Sequence, residues 1–345
     1  MKKTGLRYAL LSGTLLFFVL ILAWWYLAGE GAHPERTGVE RIVVAKGASA
    51  WKVAYSLKDE ELIGSARRFV YYLKWRGKSQ NLKAGTYDLP RAASMREMAD
   101  RILNGDEVQV QVTIPEGISS HKIAGLFAAA DVCDSLEFEK AVHSKSLLES
   151  VGLEYSSFEG FLYPETYTTR LNRPAEELVR EMVETFHREM GREWLGRAGE
   201  DKLGLGGIVT LASIVQGEIQ LPDEAGDVAA LYRNRLDTGM KLQADPTVQY
   251  VIPGEPRRLS LRDLRVDSPY NTYVYKGLPP GPINNPGKVA LTAALDPPER
   301  PWIYMVAKGD GGHTFTTTYA DHLQAKKRLD AIRRMVDNQK KYRNF

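Results

Sequence analysis

Apolar positions along the chain fall into distinct regimes. From Tyr8 to Ala28 they are nearly continuous, and YALLSGTLLFFVLILAWWYLA carries no charge. About 20 such residues suffice to cross a bilayer as a helix. Gly29 to Arg41 is polar with Gly and Pro, which predicts a linker. Beyond it, short β-prone runs alternate with helical spacing. Glu137 to Glu149 and Pro174 to Leu195 both read as helices, the second carrying Leu178, Met182, Phe186 and Met190 on one stripe. Gly206 to Ile219 (GGIVTLASIVQGEI) is apolar around most of its circumference, so a buried helix is expected. Asp223 to Leu236 predicts another, introduced by Pro222 and stopped by Gly239. Asp245 ahead of Pro246 reads as an N-cap followed by proline at the first helical position. Trp302–Ala307 and His313–Thr317 flank a Lys-Gly-Asp-Gly-Gly turn, the pattern of a hairpin. A basic, solvated helix follows from Tyr319.

One unit occurs twice. Ile42 to Ala54 aligns with Val112 to Ala124, each a short strand, a glycine (Gly47, Gly117), then a serine (Ser49, Ser119) placed to cap a helix. The first copy resembles a LysM module, and Leu82 to Pro90 resembles that module's closing strand, with Ser65 to Gln80 inserted between. The resemblance implies binding of N-acetylglucosamine-containing glycans. A small αβ packing unit without a ligand is an equally open reading.

Charge assigns the apolar segment its orientation. The 345 residues carry a net +3, and Lys2, Lys3 and Arg7 account for all of it. Those cations precede the apolar run and Glu30 follows it, so the N-terminus is expected to stay cytoplasmic, with the bulk of the chain outside. Trp24, Trp25 and Tyr26 suit the far interface. A cleaved signal peptide is the rival reading. Against it, the run exceeds the roughly 7–15-residue core of such peptides, and Trp-Trp-Tyr replaces a small-residue cleavage site. The body beyond Arg7 is neutral, which leaves no electrostatic footprint for nucleic acid. At 26% charged and 10% aromatic the chain is not disordered, and one cysteine excludes a disulfide framework or a multi-cysteine zinc site. The expected organisation is a cytoplasmic N-terminus (1–7), a transmembrane helix (8–28), a linker (29–41), a LysM-like αβ subdomain (42–110) and a mixed α+β domain (111–345).

Chemistry concentrates in the last of these. Glu218 closes the buried helix, where the negative end of the helix dipole and apolar surroundings both favour a protonated carboxyl. That environment suits a general acid near neutral pH. An ordinary helix-end glutamate reaching solvent is the plain alternative. Glu165 lies in an aromatic loop, Phe158 to Tyr167, that either lines a sugar cleft or packs as core beside an exposed acid. Further on, Leu242 to Tyr250, Ser268 to Tyr273 and Gly277 to Gly287 are rich in amides, hydroxyls and aromatic rings, held by prolines of fixed φ. Such groups suit carbohydrate, rings stacking on sugar faces and amides bonding hydroxyls. No His-x-x-x-His pattern supports a metal, and no cofactor is expected.

Five segments occur in order: Ala212-Ser213-Ile214-Val215-Gln216-Gly217-Glu218, Leu242 to Thr247, Tyr270-Asn271-Thr272-Tyr273, Gly277 to Ile283, and Gly311-Gly312-His313-Thr314-Phe315. Together they resemble the motifs of the endolytic murein transglycosylases, the YceG-like family, from about Thr113 to Ala325. The resemblance implies cleavage of the β-1,4 bond between N-acetylmuramic acid and N-acetylglucosamine in nascent peptidoglycan, giving 1,6-anhydro ends and terminating strand elongation. Within it Glu218 is the catalytic residue, while Gln243, Thr247, Tyr250, Asn271, Tyr273 and Asn284, with Glu165, are candidate glycan contacts. Asp245 is expected to be a cap and His313 a structural residue. The family often has an acid two residues before the glutamate; Gln216 stands there instead, which puts the proton chemistry on Glu218 alone. Implied partners are peptidoglycan strands and penicillin-binding wall synthases, at the bacterial inner membrane with the catalytic domain periplasmic. A water-using muramidase and a non-catalytic glycan-binding scaffold are the competing functions.

Overall fold

The protein was analysed as a computed structural model that describes residues 14, 17–19, 22, 34–151, 155–254 and 257–343. The predicted membrane span, Tyr8 to Ala28, lies outside these residues except at Thr14, Phe17 to Val19 and Leu22. Among the described residues no helix is long and apolar enough to cross a membrane. The fold is mixed α+β, with small two-stranded sheets among many helices. It divides into two compact units, one ending at Gln111 but including Thr168–Arg173, the other formed by Val112–Tyr167 and the chain from Pro174.

In the first unit, strand β1 (Val39–Val44) pairs antiparallel with β2 (Gly85–Pro90), from Val39 opposite Pro90 to Val44 opposite Gly85. Helices α1 (Ala50–Asp59) and α2 (Ala66–Trp75) lie between them in sequence, and α3 (Met95–Asn104) follows. The inserted segment Ser65 to Gln80 therefore folds as a helix of its own. Ser49, Ser65 and Ser94 each accept a backbone N–H through the side chain and start the three helices. Tyr87, Phe69, Leu57, Leu73 and Met95 meet in a closed core.

Between the units' sequences, β3 (Gln109–Thr113) pairs with β4 (Thr166–Arg170). The second unit then runs through α4 (Ser120–Ala129), α5 (Ser135–Val142) and α6 (Lys145–Ser150). The helix expected over Glu137 to Glu149 is thus two. Backbone bonding ends at His143, and the Ser144 hydroxyl accepts the Leu147 N–H to cap a new start. Helix α7 (Ala175–Glu200) is longer than expected and kinks at Gly191, whose φ is 73°.

Helix α8 (Gly204–Glu218) is the centre of this unit. Ile208, Val209, Leu211, Ala212, Ile214 and Val215 are all fully buried, as the all-round apolar pattern predicts. Neighbours surround it: α7, α9 (Ala225–Asp237), α10 (Asp245–Gln249) and α11 (Lys288–Leu295). At roughly 1.5–3 kcal/mol per buried aliphatic side chain, this burial is ample to fix a polar residue at the helix end. The stretch before α9, read as part of that helix, is a short 3-10 turn at Pro222–Glu224. Strands β5 (Tyr304–Ala307) and β6 (His313–Thr316) form the expected hairpin, Tyr304 opposite Thr316, and α12 (Tyr319–Arg343) packs against it.

Candidate active site

A cleft of about 910 Å³ opens within the second unit. Its walls are helix ends and loops: the turn before α4 and its start (Gly117 to Lys122), the end of α8 (Gly217, Glu218), the start of α10 (Asp245, Pro246), and Ile283-Asn284. That volume lies in the range of ligand-binding sites. The middle of α8, Ile208 to Val215, is buried, and its last turn reaches the open space of the cleft.

Glu218 is the final residue of α8 and half-buried, keeping an opening to the cleft. Burial in protein pushes its carboxyl up to about 7; the Tyr232 hydroxyl opposes that shift and the nearby Asp245 carboxylate adds to it. Tyr232 donates to Oε1 at 2.7 Å from a fully buried position on α9. The acid is therefore anchored by one oxygen, leaving the other to carry the exchangeable proton. Gly217, one residue earlier, has a steric role. A Cβ there would stand 2.7 Å from the Pro246 ring, so its absence lets α10 close onto the last turn of α8.

Asp245 is not the N-cap expected of it. Ala244 occupies that position, and Asp245 is the first helical residue, with no side-chain cap bond. Its Oδ1 instead accepts the Tyr273 hydroxyl at 2.6 Å. Asp245 lines the cleft with Glu218, on which its charge acts.

The other predicted contacts divide. Tyr250 lines the cleft at 38% exposure and packs against Tyr270, ring centroids 5.0 Å apart. Asn284 also lines it; its Nδ2 donates to the Ser213 carbonyl while its buried Oδ1 has no partner. Tyr273 reaches the site through Asp245. Thr247, on α10, and Asn271, in the loop that follows Ser268, are both buried. Thr247 Oγ1 donates to Ala244 O and meets Thr272 Oγ1 at 2.9 Å, while Asn271 Nδ2 donates to Leu264 and Val266 carbonyls. Gln243 is exposed, with φ at 51°, and outside the cleft lining. Glu165 is exposed too and accepts its neighbour's N–H at Thr166. His313 is held by Glu224, through Nδ1 at 2.8 Å and through its backbone N–H.

Gln216 has a definite partner. Its Oε1 accepts the Gly287 N–H at 3.0 Å and ties α8 to the start of α11. The amide thus has a bridging contact where the resemblance leads one to look for an acid.

Two residues escaped the sequence reading: Glu159, in the cleft wall, and Asn285, buried behind it. Glu159, nearly fully buried, takes over the capping that Ser119 does not perform: its carboxylate accepts the Ser120 N–H at 3.0 Å and the Ser120 hydroxyl at 2.7 Å. Burial pushes it up to about 7, against the donors from Ser120 and Asn285. Asn285 joins three strands of chain. Oδ1 accepts Gly160 and Leu162 N–H groups, and Nδ2 donates to Ile118 O and Glu159 Oε1. A lone acid inside Phe158-Glu159-Gly160-Phe161 was the available signal for the first. For the second there was only the doubled asparagine.

The profile of the YceG-like family matches residues 42–328. A Bacillus subtilis (strain 168) relative named endolytic murein transglycosylase is 28% identical over 338 residues, covering 90% of this chain and 91% of that protein. One of the same name from Streptococcus pneumoniae serotype 2 is 27% identical over 303 residues; the match spans 79% of this chain and 55% of that longer relative. A crystal structure of a YceG-like protein from Listeria monocytogenes superposes with a TM-score of 0.58 at 29% identity, covering 84% of this chain and 99% of that one.

Proposed function

The chain belongs to the YceG-like family, and we propose on that premise that it is a lytic transglycosylase of peptidoglycan, acting within glycan strands through Glu218. The observation carrying this reading is a half-buried glutamate, pushed up to about 7, at the wall of a cleft of saccharide dimensions. The names of the relatives support it.

In the proposed reaction, Glu218 first gives its proton to the glycosidic oxygen as the bond from that oxygen to the muramoyl C1 breaks. Because Tyr232 donates to Oε1, the proton leaves from Oε2. The muramoyl C6 hydroxyl then bonds to C1, and its proton returns to Glu218. No water is consumed, the products are a free 4-hydroxyl and a 1,6-anhydro ring, and the enzyme regains its starting state. One carboxyl thus acts as acid and then as base, which a value near neutrality favours. Tyr250 offers a ring for sugar stacking and the Asn284 amide lies close to the reacting carboxyl.

The anchor over Tyr8 to Ala28 is part of the proposal, holding the catalytic unit outside the cytoplasmic membrane beside nascent strands and wall synthases. The LysM-like first unit would add a second hold on the glycan.

Glu218→Gln tests the reading. Purified sacculi are digested with wild type and variant, and soluble products are weighed by mass spectrometry. Anhydromuropeptides from wild type alone are expected. Anhydro products from the variant overturn the role of Glu218, and no soluble product from either favours a scaffold. The hydrolytic alternative has one observation in its favour, the Asp245 carboxylate beside Glu218, since ordinary glycosidases use two acids. Reducing ends in place of anhydro rings would establish it.

A further inference from the structure

Glu218 is acted on from two sides with opposite effect. From α9, Tyr232 donates a hydrogen bond to Oε1 and the Arg235 guanidinium adds positive charge; both favour the ionised carboxylate. From α10, the Asp245 backbone N–H works in the same direction, while the Asp245 side chain, a like charge, works against it. Tyr273, on the loop after Asn271, fixes that side chain by donating to Oδ1 at 2.6 Å. The arrangement depends on close approach, because Gly217 alone leaves room for Pro246 and hence for the residue before it.

We propose that Asp245, oriented by Tyr273, is a positioning residue that holds Glu218 in its proton-donating form and favours the proton's return. This rests on the lytic reading of Glu218 given above. The logic is electrostatic. When Glu218 has released its proton to the leaving oxygen, its carboxylate and that of Asp245 line the same cleft as like charges. Recovery of a proton from the C6 hydroxyl relieves that repulsion, so the same neighbour that strengthens the acid's hold before the first step drives the second. Asp245 itself exchanges no proton and touches no reacting atom in this scheme. Asp245 thereby has a function without hydrolysis.

The test is read on the full-length protein labelled with 13C at glutamate carboxyls, the Glu218 signal being identified by its loss in E218Q. In D245N the side chain keeps an acceptor for Tyr273 but loses its charge, so the Glu218 titration midpoint should fall by about one pH unit. Y232F removes a donor to the ionised form and should raise it. Y273F releases Asp245 and should move the midpoint as D245N does, by less. Anhydromuropeptide release should follow, with the alkaline limb of the D245N profile displaced to lower pH. An unmoved or raised midpoint in D245N overturns the proposal, and so does a D245N alkaline limb that coincides with wild type. Thermal melts establish that each variant is folded. The titration needs no substrate. A shifted midpoint in an enzyme that makes no anhydro product therefore refutes the lytic reading and leaves the electrostatic role standing.

Discussion

Tyr232 donates to Glu218 Oε1 from inside the helical core, 2.7 Å away, and so fixes one face of an otherwise mobile carboxyl. The phenol has no route to solvent, and its own proton is held tightly because burial raises its pKa well above the usual range. It serves as a donor throughout the reaction cycle. Y232F should lower kcat about tenfold, the loss of one hydrogen bond of about 1–1.5 kcal/mol, while leaving KM within twofold because the ring never meets substrate. Steady-state assays on a soluble glycan fragment separate the two parameters.

The wall of the cleft depends on Asn285. Three of its four side-chain bonds go to buried partners, so N285A strands the Gly160 and Leu162 N–H groups and removes a donor from Glu159. Each buried group left unpaired costs about 1–3 kcal/mol. We expect a fall of several kcal/mol in unfolding free energy, measured by denaturant titration, and a larger loss in N285D, which sets a second carboxylate against Glu159.

Gly160 allows no side chain. Its φ is 88°, and a Cβ would lie 2.5 Å from the Pro282 ring and 2.8 Å from Val209. A proline ring cannot swing away, and overpacking of this kind typically costs about 1–3 kcal/mol beyond the backbone strain. G160A should lower the melting temperature and, by displacing Pro282 and its neighbours Ile283 and Asn284, reduce activity disproportionately at temperatures where the variant is still folded.

Stability should decline across the weakly acidic range. Glu159 and Glu218 both rise from an ordinary 4.5 to about 7 on folding, so the native state binds these protons more tightly than the unfolded chain. The associated stabilisation is complete below about 4.5 and is lost as pH climbs through 7. Melting temperatures recorded between pH 4 and 8 should show the decline, and E218Q should flatten it. A curve of identical slope in E218Q would show that the carboxyl is not perturbed by folding.

Local signals were the legible ones. The all-round apolar stretch Ile208 to Val215 announced a buried helix, and the Gly-Asp-Gly-Gly turn announced the hairpin, because each depends on residues close in sequence. Glu218 was legible for the same reason, as an acid ending such a helix. Errors arose where a nearby residue offered a competing start: Ser144 splits the helix expected over Glu137 to Glu149, and Ala244 displaces Asp245 from the cap. Partners distant in the chain were not legible at all. Glu159 meets Asn285 across 126 positions, and Tyr232 looks in its own helix like any buried aromatic. Thr247 and Asn271 had the composition of sugar contacts, yet their polar atoms are engaged in shaping loops.

The junction at Asn285 also sets an order of events. Its partners Ile118, Glu159, Gly160 and Leu162 are made more than a hundred residues earlier. A chain synthesised from its N-terminus therefore completes the packing around α8 only late, because α11, which lies against it, follows residue 285, and contacts of such long sequence separation form late. The cleft closes only when residue 285 arrives, which delays any cutting of glycan until nearly the entire polypeptide has emerged.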